Sequence, residues 1–311
     1  MECRAIFCNL DEVKDKLIQC VGHLAVRACK LMKAKHNKKT AAFTKACLAY
    51  CHITIPSIGD VRRKLELLLF CSQVALLNQC LPQTDAFLKS AISLIPEVPA
   101  FEETDGKRVH SEEKLSLFVK SLLSTLVVVP GHPEHGPFYI VQGLLNALPR
   151  YPWQLHTGVQ TKVYTDMLGL LCSFSQRKLI YHIAHVESND SLYGGAEAYM
   201  LELTRLINTC VEEIIKQLTA MGERSDASAK VSQARMIFDL ANQISARMDI
   251  SQEVGSFLVK LIVLASKSKA AYTRSDMRYF LNTIEFIQIT VARSHPDLSE
   301  AVDRALNALK V

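Results

Sequence analysis

The sequence predicts an all-α protein, a HEAT-like α-solenoid of stacked antiparallel helix hairpins. Three observations carry that expectation. Apolar residues recur at steps of three and four along most of the chain, the period of an amphipathic helix. Gly and Pro are sparse, at 12 and 10 in 311 residues, and they punctuate the periodic runs. Aromatic residues are only 7%, too few for a sandwich or barrel with its many turns. A hydrophobic share of 49% against 22% charged excludes a disordered chain.

In chain order the pattern places about thirteen helices and no strand. The first covers 9–35 and is apolar from Leu10, Val13 and Leu17 onward. The second, 40–53, stops at Pro56, and the third, 58–79, at Pro82. The run from Leu65 to Leu81 is broken by Glu66, Ser72, Gln73, Asn78 and Gln79, so it reads as a buried helix rather than a membrane span. A fourth helix, 83–95, ends at Pro96. The fifth, 111–128, opens on Ser111-Glu112-Glu113, an N-cap followed by an acidic first turn, and stops at Pro130. Helices at 137–148, 158–173 and 176–186 follow, the first ended by Pro149. In 195–221, Leu203, Ile207, Cys210, Ile214 and Leu218 form one stripe. Helices at 225–248 and 251–267 come next, the latter opened by Ser251-Gln252-Glu253. In 273–293 the stripe is Met277, Phe280, Ile284, Ile287 and Val291, and 297–309 closes the series.

Short links between such helices favour antiparallel hairpins, and hairpins in a row give a solenoid with periods near 40 residues. A compact bundle is the alternative. Against it, each stripe can be buried by neighbours in sequence alone. One solenoid domain is expected over 1–311, with surface loops near 99–110 and 188–195. Because Ile6 and Phe7 continue the apolar start, Met1 is expected to begin mid-solenoid, where a true end would carry a polar cap. No targeting peptide of recognisable form is read at the N-terminus.

Ten cysteines, eight of them in the first 80 residues, include no C-x-x-C pair. Most fall within apolar periodicity, so buried thiols are expected. A net charge of +5 does not argue for nucleic acid. Arg27, Lys30, Lys33, Lys35, Lys38 and Lys39 make a basic run read at the end of the first helix. Cations there complement the helix dipole, and a solvated helix end competes with an anionic-membrane patch as its meaning. Repeated aromatic–polar triplets of an RNA-reading solenoid are not seen, so no nucleic-acid partner is expected.

His132 and His135, with His182 and His185, are the one candidate metal set, and zinc could use such imidazoles. Pro133 disfavours helical geometry at His132, and no H-E-x-x-H is present. Loop packing competes with that reading, and no metal, cofactor or catalytic residue is expected. G-x-S-x-G and glycine-rich phosphate loops are absent too, so the chain reads as no enzyme.

Two loops carry more. One is His132-Pro133-Glu134-His135-Gly136; the other is Ser188-Asn189-Asp190-Ser191-Leu192-Tyr193-Gly194-Gly195 after Tyr181-His182-Ile183-Ala184-His185-Val186. With Phe7–Leu17, Lys39–Pro56 and Ala86–Pro99, they resemble the C-terminal part of the vacuolar protein sorting-associated protein 35-like family, the large helical scaffold of the Retriever endosomal recycling complex. The resemblance is strongest from Phe7 to Gly195 and weaker beyond. It implies a non-enzymatic scaffold, cytoplasmic and peripheral on endosomes, that returns cargo to the plasma membrane. It implies docking of vacuolar protein sorting-associated protein 29, the small phosphoesterase-fold subunit. The arrestin-like subunit would bind a half of the family chain that is missing here. A sorting nexin and the copper-metabolism-domain and coiled-coil assembly are further implied partners. His132, Glu134, His135, Asn189, Asp190, Tyr193 and Gly194 are the candidate partner-binding residues, with a purely structural corner as the competing meaning. A helical-repeat adaptor for another protein is the alternative function.

Overall fold

A computed structural model describes residues 10–104, 106–132, 134–154, 157–175, 196–223, 227–248, 252–266 and 272–294, with Glu300, Asp303 and Asn307. They form two compact units, 1–153 and 154–311. The all-α expectation holds, with eleven α-helices among the described residues. The helix expected at 176–186, the side chain of Val291 and most of 297–309 lie outside the described residues, as does Ser251.

The first unit contains α1 (Leu10–Leu31), α2 (Lys38–Thr54), α3 (Val61–Leu77), α4 (Leu81–Leu94), α5 (Glu112–Leu126) and α6 (Tyr139–Ala147). Consecutive helices pair as hairpins, α1 with α2 and α3 with α4. The hairpins stack in register: α1 lies on α3, α3 on α5, and α4 on α6. Polar contacts fix the parallel stacking of α1 and α3 at both ends. Arg63 donates to both oxygens of Asp15 at 2.8 and 3.0 Å near the start, and the Cys29 thiol donates to the Leu77 carbonyl at 3.5 Å near the finish. This is the layered hairpin arrangement of HEAT-like repeats, and it buries Ile18, Leu48, Leu65, Phe87 and Val119.

The returns from one hairpin to the next share one device. Each of α2, α4 and α6 runs into a single 3-10 turn with proline at its second position: Ile55-Pro56-Ser57, Ile95-Pro96-Glu97 and Leu148-Pro149-Arg150. Proline fixes φ and has no N–H to leave unpaired in the tight turn. The residue before it points into the core, and Ile55, Ile95 and Leu148 are fully buried. Pro82 differs. It stands in the first turn of α4, where a missing N–H costs nothing, so it starts a helix rather than stopping one.

Two expectations at these returns are corrected. The stretch read as a loop near 99–110 is a β-hairpin, β1 (Phe101–Thr104) antiparallel to β2 (Lys107–His110), with Thr104 opposite Lys107. Its turn carries Gly106, which has φ +71°. Ser111 does not cap α5 through its side chain. Its hydroxyl instead bonds the Pro99 carbonyl and lies 2.9 Å from the Tyr151 hydroxyl, tying the base of the hairpin to the end of the unit.

The second unit contains α7 (Val159–Ser175), α8 (Glu197–Gly222), α9 (Ala227–Arg247), α10 (Gln252–Ser266) and α11 (Arg274–Ser294). Helices α7 and α8 pair closely, and α9 packs on α7, α8, α10 and α11. The stripe from Leu203 to Leu218 is buried, as are Phe280, Ile284 and Ile287 of α11. Phe238 of α9 stacks on Phe280 with centroids 4.2 Å apart and planes at 16°. Arg235 reaches Asp276 at 2.6 Å, while Asp276 accepts from the Thr273 backbone N–H and hydroxyl. Those contacts hold the Asp276 carboxyl below the usual carboxylate range, the Thr273 hydroxyl first and Arg235 after it.

Among the described residues no helix is long and apolar enough to cross a membrane.

Candidate partner-binding surface

The His132–Gly136 segment is a closed turn between α5 and α6. His132 and Gly136 exchange both backbone hydrogen bonds, at 3.1 and 3.0 Å. Gly136 has φ +86° with open space where a side chain would point, so glycine is there for the backbone angle and not for room. The His132 ring folds over its own turn. Its Nδ1 accepts the backbone N–H of Glu134 and of His135, each at 3.1 Å. That geometry leaves the ring proton on Nε2. The turn is a self-contained knob that presents Glu134 and His135 to solvent.

Three side chains brace the knob from beneath. His135 stacks on His132 with centroids 4.5 Å apart and planes at 24°, and lies 4.5 Å from the Tyr139 ring at the start of α6. Lys89 of α4 places its ammonium 4.6 Å from the centroid of the other partner in that stack, Tyr139. Asp85, one turn earlier, accepts from Lys89 at 2.7 Å. The Asp85 contact raises the Lys89 pKa, so the cation is held charged on the ring. Sequence reasoning missed Lys89 and Asp85. Their i, i+4 spacing is ordinary for a surface helix pair, and only the stacking of α4 on α6 gives it a ring to serve.

The parallel rings of His132 and His135 do not converge their nitrogens, and one Nδ1 is already an acceptor for two amides. Among the described residues no three His, Cys, Asp or Glu side chains are grouped so that they could hold a metal ion. His182 and His185 lie outside the described residues, as do Asn189, Asp190, Tyr193 and Gly194.

A second feature of the first unit was not legible beforehand. A groove of about 480 Å³ runs between α3 and α5. Leu65, Leu69, Phe70, Leu115 and Phe118 supply its apolar wall. At one end Glu102 of β1 bridges two cations, Arg62 at 3.3 Å and Lys114 at 2.5 Å. The β-hairpin therefore closes one end of the groove through a three-residue ion network.

The basic residues are placed differently from the expectation. Helix α1 ends at Leu31, not near 35. Arg27 and Lys30 lie in its last turns, Lys33 and Lys35 lie in the turn, and Lys38 and Lys39 open α2. All six are exposed. The dipole favours cations at the end of α1 but opposes them at the start of α2, so helix-end stabilisation accounts for only part of the run.

The cysteine expectation has one exception among the described residues. Cys29, Cys47, Cys51, Cys71, Cys80, Cys172 and Cys210 are buried, and Cys20 is exposed. Burial pushes the Cys172 thiol up to about 11 and Cys210 to about 12.

Comparison with known proteins adds to this geometry. A family model for the VPS35L C-terminal domain matches residues 1–307. The human VPS35 endosomal protein-sorting factor-like is 40% identical over 307 residues, 98% of this chain and 31% of that protein. The Dictyostelium discoideum relative of that name is 36% identical over 299 residues, 96% of this chain and 30% of its own length. The Drosophila melanogaster relative is 32% identical over 308 residues, 98% of this chain and 32% of its own length. The chain thus spans about a third of the length of the curated relatives it matches.

Proposed function

Because this chain belongs to the VPS35L C-terminal domain family, we propose that it serves as a non-enzymatic scaffold in endosomal protein sorting, as the C-terminal part of the large Retriever subunit. The observation that carries this reading is the match to endosomal sorting factors along nearly the whole chain. The assembly recycles cargo from endosomes to the plasma membrane and is held there peripherally from the cytoplasm. In it this chain docks vacuolar protein sorting-associated protein 29. The stacked hairpins supply what a scaffold needs, a rigid frame that fixes exposed turns in space.

The proposed contacts are His132, Glu134 and His135 of the braced turn, with Asn189, Asp190, Tyr193 and Gly194. The first group is supported by its geometry, since an exposed turn locked by hydrogen bonds and stacked rings loses little entropy on binding.

Capture of the purified small phosphoesterase-fold subunit by chain 1–311 tests the reading. The comparison uses two variants, Glu134→Arg with His135→Asp, and Asp190→Arg with Tyr193→Asp. Binding by the native chain is expected, with at least a tenfold loss in a variant whose helical circular dichroism is unchanged. Native-like binding by both variants removes the two segments from the interface. No binding by a folded native chain overturns the docking proposal and leaves a helical-repeat adaptor for another protein.

A further inference from the structure

We propose that the turn joining α1 and α2 is a docking edge for an anionic lipid bilayer, with Leu31 entering the interface and the surrounding lysines engaging lipid phosphates. The inference stands apart from partner docking and rests on charge, exposure and backbone conformation in residues 16–59.

That stretch contains no Asp or Glu. It holds Lys16, Arg27, Lys30, Lys33, Lys35, Lys38, Lys39 and Lys45, eight cations against a net charge of +5 for the whole chain. The rest of the molecule is therefore net negative, and the positive charge is concentrated on one helix hairpin. None of the eight is in an ion pair among the described residues, whereas Lys14, Arg62 and Arg63 nearby all are. Six of them cluster at the turn.

The turn also exposes hydrocarbon at its tip. Leu31 is 83% exposed, and Phe43 on the second turn of α2 is 47% exposed. An apolar side chain flanked by cations at a protrusion suits a bilayer, where hydrocarbon sinks past the phosphates that hold the lysines. An acidic protein segment would meet the charges and leave Leu31 in water. Single-stranded nucleic acid would want aromatic platforms among the cations, and residues 27–39 contain only His36, half-buried.

The backbone holds this display in place at a cost to the fold. The Ala34 N–H bonds the Cys29 carbonyl at 3.0 Å and the Lys33 N–H bonds the Lys30 carbonyl at 3.2 Å, the paired bonds of a Schellman cap. The left-handed position is normally glycine. Here it is Lys33 at φ 47°, followed by Ala34 at φ 61°. Helix α2 then starts from a capping box between Asn37 and Thr40. Lys38 and Lys39 sit at its positive dipole end, which disfavours cations but adds to the attraction for an anion. Strained lysine where glycine would fit, and lysines where the dipole opposes them, are what a surface kept for binding charge would show.

The test is flotation of the 311-residue chain with phosphatidylcholine vesicles containing no, or about 30%, phosphatidylserine, in 0.1 M salt. Binding is expected only with phosphatidylserine and should weaken steeply in 0.5 M salt. Lys38→Glu with Lys39→Glu should lose at least tenfold, since each lysine is worth roughly fivefold near such a surface. Leu31→Ser, with charge unchanged, should lose several-fold, which pure electrostatics would not produce. Lys33→Gly should raise the urea midpoint while weakening vesicle binding roughly fivefold. A Leu31→Trp, Trp153→Phe chain should shift its emission to the blue when vesicles are added. No capture of the folded native chain by anionic vesicles, or equal capture of the charge-reversed and Leu31→Ser variants, overturns the proposal. So does tighter, salt-sensitive binding of a single-stranded oligonucleotide that outcompetes the vesicles.

Discussion

Gly22 sits in the middle of α1, where a glycine costs about 1 kcal/mol relative to alanine. Its neighbour explains the choice. A Cβ built there would lie 2.4 Å from Cε1 and 2.8 Å from Cζ of Phe70, an approach real Cβ atoms do not make. The Phe70 ring crosses from α3 over that gap, meets His23 with centroids 5.4 Å apart, and forms part of the groove wall. Gly22→Ala therefore gains about 1 kcal/mol of helix propensity and incurs an overpacking cost of about 1–3 kcal/mol. The net expectation is a loss of up to about 2 kcal/mol, with the ring pushed into the groove. Trp153 packs on this unit, against the Tyr151 ring. It is the chain's single tryptophan, half-buried, and its indole N–H donates to the Leu148 carbonyl at 2.7 Å. Urea unfolding followed by its fluorescence should show the loss in Gly22→Ala. The Gly22→Ala, Phe70→Leu pair should recover at least about 1 kcal/mol relative to the sum of the single changes. A Gly22→Ala chain stabilised by the full propensity gain would mean that the ring moves aside freely, and the packing argument would be wrong.

Three further outcomes follow from the same structure. Gly136→Ala should cost about 1 kcal/mol from the left-handed backbone alone, because nothing lies within 4 Å of the added carbon; the same tryptophan titration measures it. Phe238→Ala removes a fully buried ring stacked on Phe280 and should destabilise the second unit by about 3–5 kcal/mol, read as loss of amide-exchange protection in α9 and α11. The Asp276 carboxyl has a folded pKa below its unfolded value of about 3.9, so its stabilisation is present above about pH 4 and is lost as pH falls through the folded value. Asp276→Asn should therefore flatten the dependence of unfolding on pH on the acid side of about pH 5, and an unchanged slope would remove Asp276 from that acid limb.

The helices were legible because each carries a period that its neighbours in sequence can bury. The stripe from Leu203 to Leu218 is read from spacing and is found buried without exception. What escaped was fixed by backbone angles or by distant partners. The end of α1 is invisible to pattern because Lys33 and Ala34 occupy left-handed positions without being glycine. The β-hairpin carried a legible turn in Asp105-Gly106, but its strands offer only Phe101 and Val109 as apolar residues, too few for an alternation. Pro82 reads as a stop only if the neighbouring helix boundary is misplaced by a few residues. The His132 turn was visible from its Pro and Gly, whereas Lys89, which braces it, comes from another hairpin and has no local signature.

The antiparallel order of the first unit sorts its turns onto two edges with different chemistry. The turns after α2, α4 and α6 lie on one edge, and each is closed by a buried residue followed by proline. Each is anchored in the core through the residue before its proline, so substitutions of Ile55, Ile95 or Leu148 act on stability. The turns after α1, α3 and α5 lie on the opposite edge, and two of them are long and polar. One is the lysine-rich Schellman turn and the other is the His132–Gly136 knob. They are two hairpins apart, on the order of 20 Å at ordinary helix spacing. A bilayer engaging the first would thus bring the second close to the same surface. A protein held by the knob would stand beside the membrane, and its own charge would then decide whether the two proposed contacts reinforce or oppose each other. Vesicle binding measured with and without the small phosphoesterase-fold subunit separates those cases, because reciprocal coupling must appear equally in both affinities.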